Sequence, residues 1–133
     1  MEKLKSMNTA IIGAGSNINP QLNIKAAKNL LSGHFNILAE SHFVTTKPIG
    51  DSQQPNFING SILISTGKTL QQLKSILKKI EAILGRRDSS NKFGPRTIDL
   101  DILVWNEKVV DKDFYARDFV KKSVLELYPD LKY

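Results

Sequence analysis

The chain contains no cysteine, which excludes a disulfide framework and any thiolate metal centre. It has no apolar run close to the roughly 20 residues that a membrane-spanning helix needs. Residues 1–6 are polar and charged, lack the apolar core of a signal peptide, and read as a disordered leader ahead of Met7. A cytoplasmic protein without a membrane partner is the resulting expectation. Histidine is confined to His34 and His42. Neither has a carboxylate or second histidine at ligand spacing, so both read as structural or exposed. Arginine is scarce too, with Arg86, Arg87, Arg96 and Arg117 against fifteen lysines.

Three of those four arginines fall within residues 85–96, a loop that also contains glycine and serine. Arginine makes planar, bidentate contacts to phosphate, whereas lysine acts as a mobile point charge. The loop leads into Thr97-Ile98-Asp99-Leu100-Asp101-Ile102-Leu103, an apolar, β-branched run interrupted by two aspartates. Side chains alternate along a strand, so Asp99 and Asp101 emerge together and Ile98, Leu100, Ile102 and Val104 take the opposite face. Adjacent carboxylates repel and are costly to desolvate unless a cation lies between them. A solvent-facing strand beside a solvated basic loop would also produce this pattern. Aspartate is poor in strands, however, and loop and strand together favour a polyphosphate bound with a hard divalent cation. The formal net charge of +6 suits anionic partners, nucleotide or nucleic acid alike.

Length and periodicity indicate one domain, residues 1–133, large enough for a real core. A strand over 8–14 is followed by a helix that opens at Pro20 and Gln21, buries Leu22, Ala26, Ala27, Leu30 and Leu31, and stops near Gly33. Residues 35–46 read as one long strand and 57–65 as a second, antiparallel to it, with a loop over 47–56 marked by Pro48, Gly50 and Pro55. Thr69 caps a helix with Leu70, Leu73, Ile76, Leu77, Ile80, Ile83 and Leu84 on one stripe, ended by Gly85. The order is β-α-β-β-α-β, an α+β ferredoxin-like sandwich with an antiparallel sheet and helices on one face.

The run Gly94-Pro95-Arg96-Thr97-Ile98-Asp99-Leu100-Asp101-Ile102-Leu103 resembles the signature of the 6-hydroxymethyl-7,8-dihydropterin pyrophosphokinase family. Gly15-Ser16-Asn17, Thr46-Lys47-Pro48-Ile49-Gly50, Gln54-Pro55-Asn56-Phe57-Ile58-Asn59 and Glu81 to Arg86 resemble further family segments in the same order. The resemblance implies pyrophosphoryl transfer from ATP to a hydroxymethyl dihydropterin, a step of folate biosynthesis. It implies Asp99 and Asp101 as ligands for two magnesium ions, Arg96 as an ATP contact, and Arg86 as an aid to transfer. Glu81, Lys92, the backbone of Ile102 and Arg117 complete the expected nucleotide site. Phe57 and Phe119 would stack on the pterin, Asn59 would bond its amide edge, and Thr46, Pro48 and Gly50 would shape the pocket. Small-molecule substrates, no nucleic acid and a monomer are the expected partner state.

Departures from the family pattern lie downstream. No proline occurs between Pro95 and Pro129, and no histidine follows His42, so the family's Pro-His segment is missing and the chain reads as a short form. Asp88 and Lys92 stand where arginine is usual, Phe93 where tryptophan is, and Lys47 where proline is. The missing segment normally helps hold the nucleotide, and Tyr115 or Arg117 is a candidate substitute. The alternative is a catalytically weakened homologue that binds a pterin or nucleotide, or a ferredoxin-like RNA binder. The acidic strand and the absence of an RNP pattern weigh against RNA.

Overall fold

The computed structural model describes residues 7–48, 53–85 and 97–133. The expected leader over 1–6, Gly50, and the loop residues Arg86, Lys92 and Arg96 lie outside these residues. The described chain runs β1 (Asn8–Ser16), α1 (Pro20–Ser32), β2 (Asn36–Glu40), β3 (Val44–Thr46), β4 (Phe57–Thr66), α2 (Leu70–Ile83), β5 (Asp99–Trp105), β6 (Lys108–Val109), α3 (Asp113–Ala116) and α4 (Asp118–Leu127). One six-stranded sheet has the order β2-β4-β1-β5-β6, with β3 also paired to β4. All its pairings are antiparallel. With β2 and β3 taken together as one strand of the pattern, the unit is the ferredoxin-like β-α-β-β-α-β arrangement.

Local chemistry explains the helices. Pro20 occupies the first turn of α1, where a missing N–H costs nothing, and Gly33 caps its end. Thr69 and Gln72 form a reciprocal capping box on α2, each side chain accepting from the other's backbone N–H. The buried stripe of α1 is Ile24, Ala27 and Leu31, at helical spacing. Leu22 lies outside that stripe and is 68% exposed, and Ile83 at the end of α2 is 67% exposed.

These two helices cover one face of the sheet. Ile24, Ala27 and Leu31 of α1 and Leu73, Leu77 and Ile80 of α2 pack on Ala10, Ile12, Ile62, Ile64, Ile98, Leu100 and Ile102. The expected placement of helices on one face holds for this unit. The C-terminal segment adds α3 and α4 on the other face, where Phe114, Val124 and Leu131 bury Ile11, Leu103 and Val104. Val104 therefore does not share a face with Ile98, Leu100 and Ile102. A bulge shifts the β1–β5 register between Ile11 and Ile12, where Val104 and Ile102 are the successive partners. The extra residue, Leu103, reverses the alternation beyond it.

The single strand expected over 35–46 is two strands, with a break at Ser41, His42 and Phe43. Side-chain bonds fill the gap in the ladder. Ser61 N–H donates to Ser41 Oγ at 2.8 Å, and His42 N–H donates to both carboxylate oxygens of Glu126 on α4 at 3.0 and 3.2 Å. His42 Nδ1 lies 2.9 Å from the same carboxylate, so this histidine is exposed but partnered. Ser61 Oγ and Ser123 Oγ, 2.6 Å apart, make a second tie between the sheet and α4.

Phe114 is fully buried at the junction of α3 with the sheet. Phe114→Ala should cost about 3–5 kcal/mol through lost burial and a residual cavity. Urea denaturation followed by circular dichroism would measure the loss.

Candidate active site

The face of the sheet that carries α3 and α4 holds a cleft of about 380 Å³. That is within the usual size range of small-molecule sites, about 300–1,000 Å³. Its floor is a grid set by strand register. Gly15 on β1 is paired with Asn59 on β4 and Asp99 on β5, and Gly13 is paired with Ser61 and Asp101. Directly paired residues point to the same side of a sheet, so two rows cross the floor, Asn59–Gly15–Asp99 and Ser61–Gly13–Asp101. The middle strand contributes no side chains of its own, and its flanks lean over it, with Leu103 against Gly13 and Asn59 against Gly15. A Cβ at Gly15 would lie 2.3 Å from Asn59 Oδ1, so the amide's position requires glycine there.

Around the floor stand Thr46, Lys47 and Phe57 on one side, and Asp111, Lys112, Asp113, Arg117, Phe119 and Ser123 on the other. Asn59 Nδ2 donates to Thr46 Oγ1, which sets the direction of the amide. Asn17, only 2% exposed, donates to Gln54 Oε1 at 2.8 Å and to the Pro55 carbonyl at 3.1 Å. The end of β1 is thereby tied to the chain that enters β4 at Phe57. Residues 15–17 and 54–59, far apart in sequence, form one corner of the cleft.

Charge is distributed unevenly. Asp99, Asp101, Asp111 and Asp113 all line the cleft, against Lys47, Lys112 and Arg117 among the described residues. Arg117 Nε sits 3.9 Å from Asp113 Oδ1. Burial, then the charges of Asp99, Asp111, Glu81 and Asp113, push the Asp101 carboxyl up from 3.8 to about 8. Carboxylates crowded on one face of a sheet favour a positive partner.

The sequence matches the 7,8-dihydro-6-hydroxymethylpterin-pyrophosphokinase family over residues 11–129. The chain belongs to this family. It is 31% identical over 138 residues to the 2-amino-4-hydroxy-6-hydroxymethyldihydropteridine pyrophosphokinase of Haemophilus influenzae, with 94% of this chain and 84% of that protein covered. The Pseudomonas aeruginosa protein of the same name is 33% identical over 133 residues, covering 91% of this chain and 81% of its own. A folate synthesis bifunctional protein of Arabidopsis thaliana is 32% identical over 127 residues. There the match covers 88% of this chain, which spans only 26% of that longer protein.

Within this family member, the cleft brings together Asp99, Asp101, Thr46, Phe57, Asn59, Arg117 and Phe119 from the expected site. Pro48 is half-buried beside Lys47 but is not part of the lining. Ile102 and Glu81 are buried outside the cleft. The side chain of Ile102 packs in the main core, while Glu81 Oε2 accepts from the Leu100 N–H at 2.8 Å. Asp111, Lys112 and Asp113 were not foreseen. Their only local signal was a short charged run after the Asp strand.

Magnesium is the ion that the family implies, and the donors fit it. Asp99 and Asp101 offer hard oxygen donors side by side on one strand face. No group of three or more His, Cys, Asp or Glu side chains able to hold a metal occurs among the described residues. Two carboxylates with the rest of the coordination left to water and phosphate is the usual magnesium pattern.

The raised pKa of Asp101 sets a pH dependence. The folded state keeps a proton that the unfolded chain has lost, so stability falls as pH rises from about 4 to 8. Asp101→Asn removes this slope. In chelator the variant should melt several degrees above the parent at pH 8, at about 4 °C per kcal/mol relieved, and converge with it near pH 4. Thermal denaturation across this pH range checks the prediction.

Proposed function

We propose that this chain transfers a pyrophosphoryl group from ATP to 6-hydroxymethyl-7,8-dihydropterin, with magnesium, in folate biosynthesis. The observation that carries the reading is the row Asn59–Gly15–Asp99, continued by Gly13 and Asp101. It sets an amide reader and a carboxylate pair roughly 10 Å apart, two strand spacings across the floor. A flat heterocycle bound at one end places its substituent toward the other.

In this reading Phe57 and Phe119 stack on the pterin and Asn59 bonds its amide edge. Thr46 fixes the amide, and Pro48 and Gly50 shape the mouth. Asp99 and Asp101 would hold two magnesium ions, which would supply charge neutralisation for the triphosphate and its β-phosphorus. Ile102 lies two residues beyond Leu100 in regular register, so its backbone groups take the same outer edge of β5 and are available to adenine. Arg117, Arg96, Arg86 and Lys92 contact phosphate. The hydroxymethyl oxygen attacks the β-phosphorus, the bond from that phosphorus to the α–β bridging oxygen breaks, AMP leaves and the hydroxyl proton is released. Positioning and charge neutralisation supply most of the rate in such transfers.

The partners are small molecules rather than nucleic acid, since the cleft's four aspartates oppose a phosphate backbone. In this reading the protein acts as a cytoplasmic monomer. No helix among the described residues is long and apolar enough to cross a membrane.

Incubation with ATP, magnesium and the hydroxymethyl dihydropterin should yield AMP and the pterin diphosphate, resolved by phosphorus NMR. Formation of ADP, or no product beyond that of the Asp99→Ala, Asp101→Ala double variant, contradicts the reading. Asn59→Ala should raise the pterin KM by roughly tenfold or more, the loss of one or two hydrogen bonds, and leave the ATP KM nearly unchanged.

A further inference from the structure

A second carboxylate beneath the site has no role in the reaction outlined above. Glu81 lies on the buried face of α2 and is only 8% exposed. A buried carboxylate is expensive to desolvate and persists when it is hydrogen-bonded. Its Oε2 accepts from the backbone N–H of Leu100 at 2.8 Å, and Leu100 is the residue between Asp99 and Asp101.

The location on the strand gives that bond its leverage. One edge of β5 is paired to β1 from Asp99 through Trp105. The other edge meets β6 only at Val104 and Trp105. Across Asp99 to Ile102, no strand among the described residues covers this outer edge. The helix side chain takes the position that a neighbouring strand's carbonyl would hold. Asp99 and Asp101 point to the cleft face, while the Leu100 side chain packs in the core beneath.

We infer that Glu81 is a positioning residue: its hydrogen bond to the Leu100 N–H fixes the height and twist of the Asp99–Asp101 pair, and the side chain does not touch the nucleotide. The inference rests on the assignment of that pair as the magnesium ligands. It moves Glu81 from the nucleotide-contacting set to the support of the metal platform. A charge-assisted bond from a helix to a strand suits that task, because both ends are anchored in the main core.

Two variants separate the hydrogen bond from the charge. Glu81→Gln keeps an oxygen acceptor of the same reach, and Glu81→Met removes it at similar volume. Hydrogen exchange followed by NMR reads the bond directly, with no ligand present. The Leu100 amide should exchange about tenfold or more faster in E81M than in the parent or in E81Q, given the worth of one such bond. Calorimetric titration with a non-hydrolysable ATP analogue then reads the platform. E81M should lose most of the magnesium-dependent gain in affinity, at least about fivefold, and E81Q should keep it. Binding of the analogue in chelator should be equal in all three proteins.

Unchanged protection of Leu100 in E81M overturns the inference. So does an equal loss of affinity with and without magnesium, which would make Glu81 a direct nucleotide contact, or a loss in E81Q as large as that in E81M, which would make the charge decisive. If the parent protein shows no magnesium-dependent binding while Leu100 remains protected, the metal assignment fails, and the role of Glu81 in it fails for that separate reason.

Discussion

The register of β1 between β4 and β5 is the constraint on which the site depends. A one-residue slip on either side would turn every side chain of the slipped strand to the opposite face. Asn59 would then face the helices, or Asp99 and Asp101 would enter the main core. The register is held by what lies beneath the floor, where Ala10, Ile12 and Ala14 of β1 interlock with Ile62, Ile64, Leu100 and Ile102. Gly13 and Gly15 can then leave the upper face bare, because the strand gains its stability from below. At Gly15 the bare backbone is also a steric requirement, since Asn59 lies against it.

Electrostatics give the same site its unfinished character. The protein is basic overall, with a formal net charge of +6, yet four aspartates line this cleft. Burial, and then that crowding, lets Asp101 hold its proton to about pH 8. A divalent cation reverses the balance, because it stabilises both carboxylates at once and gives phosphate oxygens something to bind. Lys112 and Arg117 also line the cleft, so the C-terminal segment brings cations to it.

Strand periodicity made the centre of the site legible in the sequence. A period of two placed Asp99 with Asp101 and Phe57 with Asn59, and all four do line the cleft. The helices were equally clear, because Thr69 and Gln72 form a local capping box and Leu73, Leu77 and Ile80 repeat at helical spacing. What escaped depends on partners distant in sequence. The bulge that sends Val104 to the other face arises in pairing with β1. The break between β2 and β3 is sustained by Ser61 and by Glu126, the latter 84 residues from His42. Asp111, Lys112 and Asp113 join the site only because α3 and α4 fold back over the sheet. The family resemblance marked Glu81 for the nucleotide site, but its bond to Leu100 joins two elements that pack only in the folded chain.

In the proposed function one sheet floor joins a pterin reader to a metal platform. A crystal structure with magnesium, a non-hydrolysable ATP analogue and the hydroxymethyl pterin tests it most directly. The account predicts the pterin between Phe57 and Phe119 with its amide edge on Asn59, its hydroxymethyl group over Gly13 and Gly15, and metal ions on Asp99 and Asp101. A pterin bound elsewhere, or metal ions held without either aspartate, would contradict it.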